Sequence, residues 1–251
     1  MNHFNFEGKS VLTVILQCET PEVAIGRIRN ALCNGAEAFG IQVESLKREY
    51  QNEETYKRII SEANGLPTYF TNYRIDKNVG KTDDELAEEL FTMAKSGASL
   101  CDIMGDMFDA QEEQMTYNEN AINKQRELIN RIHGVGSQVL MSSHVMKFIP
   151  AEQVLEIANE HIRRGADISK IVVSAANIEE EIENLRITNL LKQQLNAPFL
   201  FLSQGENSIH RRLGARLGCS ITLCVYEHDH LSTIAQPLLS VAKEIRDNLG
   251  F

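Results

Sequence analysis

The feature that most constrains this chain is its alternation. Short apolar, β-branched runs suited to strands are separated by stretches of helical spacing, eight times over 251 residues, which restricts the fold to α/β architectures with parallel strands. Residues 10–17, 38–43, 67–73, 99–104, 136–143, 165–174, 198–203 and 220–226 read as the strands. Thr20-Pro21 opens the first helix with a capping residue and a first-turn proline, and Thr82-Asp-Asp-Glu85 is a capping box. A long polar helix is expected over 111–132, and a last one from about 232 to 249. Eight β/α units at this length point to a closed (β/α)8 TIM barrel forming one domain over 1–251, with an open doubly wound sheet as the other arrangement. No GxGxxG or GxxxxGK[ST] follows the first strand, which removes the usual nucleotide reading of an open sheet.

Charge and cysteines narrow the function. A net charge of -10 disfavours nucleic acid and anionic membrane partners and leaves small anionic substrates, held by a local basic site. Cys18, Cys33, Cys101, Cys219 and Cys224 form no CxxC pair, which suits reduced thiols in a cytoplasmic protein. The first residues have neither a basic nor an apolar signal-peptide region, and no apolar run reaches the length of a membrane span. His228, Asp229 and His230 are close enough to suggest a metal, but no third ligand cluster accompanies them, so a solvated loop and no metal or cofactor is the expectation.

Barrel chemistry sits at the C-terminal ends of the strands. The sixth strand carries Lys170, within Gly165-Ala-Asp-Ile-Ser-Lys170-Ile-Val-Val. Burial disfavours an ammonium, and a neutral lysine amine can form a Schiff base with a ketone; the plain alternative is an exposed lysine paired with Asp167. His144 ends the fifth strand, where it could serve as a proton shuttle beside that amine. Arg211 and Arg212, after the seventh strand, read as either a solvated basic turn or a guanidinium fork for a carboxylate.

Three stretches together resemble type I 3-dehydroquinate dehydratase, the Schiff-base enzyme family of the shikimate and quinate pathways. They are Ser142-Ser-His144 through Pro150, Ala166-Asp-Ile-Ser-Lys170-Ile, and His210-Arg-Arg-Leu-Gly-Ala-Arg-Leu-Gly-Cys219 followed by Ser232-Thr-Ile-Ala-Gln236. The resemblance implies Lys170 as the Schiff-base lysine and His144 as the general acid and base, with Arg211, Ser232 and Gln236 around the substrate carboxylate. It also implies a small oxo-carboxylate substrate, no cofactor, and a homodimer.

The first half departs from the family pattern. Gly40 and Gln42 stand where the family has Glu and Arg, and Asn78 stands where it has the carboxylate that partners the histidine. Val145 replaces an Asp. Arg74, with a one-residue slip, and Gln42 are the remaining expected substrate contacts. Each lost charged hydrogen bond is worth roughly 1.5–3 kcal/mol. Two further readings stay open beside dehydroquinate dehydration: a Schiff-base lyase or aldolase for another oxo-acid, and a carboxylate-binding barrel without turnover.

Overall fold

The computed structural model describes residues 2–6, 8–205 and 209–250. Its strands are β1 (Val11–Leu16), β2 (Ala38–Gln42), β3 (Thr68–Thr71), β4 (Leu100–Met104), β5 (Gln138–His144), β6 (Ile168–Ser174), β7 (Phe199–Gln204) and β8 (Ile221–Cys224). Between and after them come α1 (Pro21–Cys33), α2 (Glu53–Glu62), α3 (Asp83–Ser96), α4 (Glu119–Gly134), α5 (Ala151–Arg164), α6 (Ile178–Gln194), α7 (Ile209–Leu217) and α8 (Leu239–Leu249). Every strand pair is parallel in the order β7-β6-β5-β4-β3-β2-β1-β8. The Ser220 N–H donates to Phe199 O at 2.8 Å where β7 and β8 begin, which brings the sheet nearly round into the expected TIM barrel.

Local chemistry sets the helix ends. Thr20 caps α1 ahead of Pro21, both halves of the Thr82–Glu85 capping box form on α3, and Gly97 and Gly165 end their helices in the left-handed region. Along the strands the side chains alternate. Leu12, Val14 and Leu16, or Cys101 and Ile103, face the helices in an apolar cluster that gathers α1 to α4; a second cluster packs Ile171, Val173, Phe199 and Phe201 with α5 and α6. A fully buried aliphatic or aromatic side chain contributes roughly 1.5–3 kcal/mol. The helix-facing rows therefore stabilise the barrel, and the inward rows are free to carry polar groups.

Two expected helices are shorter than the sequence suggested. The first begins at Glu119, because Asn118 caps it by accepting from the Asn120 and Ala121 N–H groups; residues before it form an irregular segment in which Phe108 and Gln114 adopt positive φ. The last begins at Leu239, where the Leu239 N–H donates to Val225 O, and the preceding residues fold as a loop over the strand ends.

Candidate active site

Lys170 projects inward from β6, is 4% exposed, and uses all three of its N–H donors. Nζ lies 2.6 Å from the Tyr73 hydroxyl, 3.1 Å from the Tyr69 hydroxyl and 3.2 Å from Asp102 Oδ2. Asp102 comes from β4 and accepts from both phenols as well, while the Ser142 hydroxyl on β5 donates to its other oxygen at 2.5 Å. The plain alternative for the lysine, a pair with Asp167, does not form: that carboxylate binds His133 Nε2 and the Val139 N–H on the outside of the barrel. Burying this ion pair is tolerable only because every partner is satisfied; removing one member of such a pair typically costs about 3–5 kcal/mol.

Tyr73 lies just past the end of β3, and hydrogen bonds at both its N–H and its carbonyl fix its position. Its N–H points at Glu44 Oε2 at 3.5 Å, the Asn78 amide donates to its carbonyl at 2.9 Å, and the same amide donates to Asn72 Oδ1 at 2.8 Å. Asn78, standing in the place of a family carboxylate, does not reach the histidine and instead holds this turn. Both phenols have their pKa pushed well above the usual tyrosine value by burial and the nearby Asp102 charge, so they remain protonated.

His144 ends β5, two residues beyond the register partner of Lys170. Its partner is Gln114, from the irregular segment after β4, whose Oε1 accepts from the His144 N–H at 3.1 Å and sits 2.7 Å from Nδ1. An amide oxygen is only an acceptor, so Nδ1 carries the hydrogen and Nε2 the lone pair. The ring packs edge-on to Tyr73 with centroids 5.1 Å apart. Desolvation first, then the Lys170 and Arg211 charges, lower its pKa well below the ordinary histidine value. The lowered pKa favours the neutral imidazole, whose Nε2 lone pair can act as a base.

Lys170, His144 and Tyr73 line a cavity of about 560 Å³ at the C-terminal ends of the strands. Of the other expected site residues, Arg211, Gln236, Gln42 and Arg74 also reach it. Arg211 is nearly buried, its Nε donates to Ser203 O at 3.0 Å, and desolvation pulls its pKa down to about 10. Gln236 is buried, with Oε1 unpartnered among the described residues. Arg74 is largely committed elsewhere: Nε and one terminal nitrogen grip Asp83 at 2.6 and 2.7 Å, and the other terminal nitrogen binds Asp106 at 2.8 Å. Ser232 lies outside the lining. Its hydroxyl donates to Asp229 Oδ1 at 2.7 Å, and its neighbour Thr233 takes the cavity wall, with the Thr233 N–H bonded to Gln17 Oε1 at 2.9 Å.

Gly40 explains the lost charge on β2. A Cβ at that position would lie 2.3 Å from Ile15 Cδ1 and 3.1 Å from Tyr69 Cδ1. The volume of a longer side chain is thus occupied by Ile15. The sequence reading missed Tyr69, Tyr73, Asp102, Gln114 and Glu44. For Asp102 a signal existed: one acidic residue inside the apolar run Leu100-Cys-Asp-Ile-Met104, two strands from a lysine. His228, Asp229 and His230 assemble no metal cluster, and among the described residues no group of three or more such ligands occurs.

The chain is 24% identical over 222 residues to the 3-dehydroquinate dehydratase of Klebsiella pneumoniae, covering 86% of this chain and 84% of that one. It is 27% identical over 177 residues to that of Geobacillus thermodenitrificans, covering 68% and 63%, and 35% identical over 98 residues to that of Alkaliphilus oremlandii, covering 38% of each. The matched part thus spans under two thirds of the length of the last two relatives. The crystal structure of 3-dehydroquinate dehydratase from Geobacillus kaustophilus shares the fold with a TM-score of 0.82 at 16% identity, covering 96% of this chain and 91% of that one. A type I enzyme from Clostridium difficile gives 0.81 at 18%, covering 97% and 93%. The family described as Type I 3-dehydroquinase matches from residue 12 to residue 250, and with the inward lysine and adjacent histidine in place the chain belongs to that family.

Proposed function

We propose that this protein removes water from 3-dehydroquinate to give 3-dehydroshikimate through a Schiff base on Lys170. The observation that carries the reading is a buried, cavity-facing lysine on β6 beside a neutral histidine on β5. The amine adds to the C3 ketone and the resulting carbinolamine loses water. The iminium then draws electron density from C2, His144 Nε2 takes the C2 proton, and the C1 hydroxyl leaves as a second water. Hydrolysis of the imine returns the lysine and the ketone product. Arg211 and Gln236 hold the carboxylate, and Ser232 fixes the turn that presents Thr233 and Gln236 to the cavity. Gln42 is left as the β2 contact to a ring hydroxyl, and Arg74 supports the wall through Asp83 and Asp106.

A second reading has a specific observation behind it. Ile15 fills the space beside Gly40, and Gln42 is neutral, which favours an oxo-acid with fewer hydroxyls. Borohydride reduction during turnover, followed by peptide mapping, separates the two. An adduct on Lys170 with 3-dehydroquinate, absent in Lys170→Ala, supports dehydroquinate dehydration; an adduct only with other oxo-acids moves the substrate to that class. The four buried, unpaired cysteines are consistent with a cytoplasmic setting, and the family resemblance supports a homodimer, which light scattering would measure. Among the described residues no helix is long and apolar enough to cross a membrane.

A further inference from the structure

The lysine cage carries more than a binding role. We propose that Tyr73 is a catalytic proton relay between Lys170 and Asp102, which frees the amine for attack and then returns the proton to the carbinolamine oxygen. This rests on the Schiff-base reading above and assigns a step to a residue outside the lysine and histidine pair.

Geometry singles out Tyr73. Its hydroxyl is the shortest of the three contacts to Nζ, at 2.6 Å against 3.1 Å for Tyr69 and 3.2 Å for Asp102. The same hydroxyl donates to Asp102 Oδ2. Tyr73 also lines the cavity, which Tyr69 does not, so it alone of the two phenols borders the space where a carbinolamine oxygen forms. The turn that holds it is built by Glu44 and Asn78, both buried.

The proton count closes. The starting arrangement is the Lys170–Asp102 ion pair, with the Tyr73 hydroxyl between its two members. Tyr73 accepts a proton from Nζ as it passes its own to Asp102, and no phenolate accumulates. The neutral amine attacks C3, the C–N bond forms, and the carbonyl π pair moves to oxygen. One proton transfers from the new nitrogen to that oxygen. The proton stored on Asp102 then returns through Tyr73 to the hydroxyl, which leaves as water when the iminium forms. The sum is ammonium plus ketone giving iminium plus water, and Asp102 ends as it began. Raised phenol pKa values fit a group that passes protons without ionising. His144, whose Nδ1 is bonded to Gln114, is left free to act at C2.

The test compares wild type, Tyr73→Phe and Tyr69→Phe by the rate of adduct formation on Lys170, read by borohydride trapping with 3-dehydroquinate and by the ultraviolet absorbance of the stable adduct with acetylacetone. The diketone reports a neutral lysine amine as an enaminone, whatever the natural substrate is. General acid–base groups contribute about 10²–10⁴-fold. Tyr73→Phe should slow adduct formation by about that factor with both probes, and Tyr69→Phe, which removes a comparable hydrogen bond to the buried amine, should slow it much less. His144→Ala should still form the adduct and lose the elimination step. Equal rates in Tyr73→Phe and wild type overturn the relay, as does an equal loss in both phenylalanine variants. Reaction of the wild type with acetylacetone but not with 3-dehydroquinate leaves the relay standing and sinks the dehydroquinate assignment. Failure with both probes overturns the relay as well.

Discussion

Replacing Glu44 by glutamine tests the electrostatics of the site without touching the reacting groups. Glu44 is fully buried in the turn after β2, accepts from the Thr71 hydroxyl at 2.9 and 3.0 Å, and lines the cavity. Burial pushes its pKa from 4.5 up to about 7. A carboxyl whose folded pKa is raised stays protonated in the fold while the unfolded chain has already ionised. Its favourable contribution is complete below about pH 4.5 and is lost as pH rises through about 7. At about 1.4 kcal/mol per pH unit the ceiling is about 3 kcal/mol, most of it lost between about pH 5 and pH 8. Glutamine cannot ionise, so its hydrogen-bond gains and losses are the same at every pH. In a chain of this size 1 kcal/mol corresponds to about 2–4 °C. The melting temperature of Glu44→Gln minus that of wild type should therefore climb by about 5–10 °C between about pH 5 and pH 8, measured by thermal circular dichroism in matched ionic strength. A difference that stays constant across that range would refute the account of Glu44 as a protonated buried acid.

Two other substitutions follow from the same geometry. Gln114→Glu puts a carboxylate against Nδ1, which favours the imidazolium and raises the His144 pKa; the acid limb of kcat/KM should move to higher pH, and an unmoved limb would remove His144 as the base. Gly40→Ala drives a methyl into Ile15 and should cost about 1–3 kcal/mol of stability by urea denaturation, recovered in part by Ile15→Val in the same chain; a neutral Gly40→Ala would mean the β2 wall is looser than its contacts indicate.

What could be read from the sequence was what is local along the chain. Strand and helix alternation, the Thr82–Glu85 capping box and the placement of Lys170 within β6 and of His144 at the end of β5 all depend on short spacings. The lysine cage depends on something else. Tyr69, Tyr73 and Asp102 meet Lys170, and Ser142 meets Asp102, only after β3, β4, β5 and β6 have paired in one register, and no spacing in the sequence encodes that meeting. Gln114 was hidden differently: the segment rich in Gln, Glu and Asn reads as a helix, and only the Asn118 cap marks the true start. The start of the last helix was hidden for a related reason, since the loop that holds Ser232 ahead of α8 is set by Asp229 hydrogen bonds rather than by helical periodicity.

The irregular segment that delivers Gln114 is itself held from far downstream. Arg164, buried at the end of α5, donates to Gly105 O and Gln125 Oε1 at 2.8 Å and to Thr116 O, and Gln125 adds bonds to the Gly105 and Met107 carbonyls. The amide that sets the His144 tautomer is thus carried by a segment whose carbonyls are tied to α4 and α5, so the outer helices reach the base through the backbone of that segment.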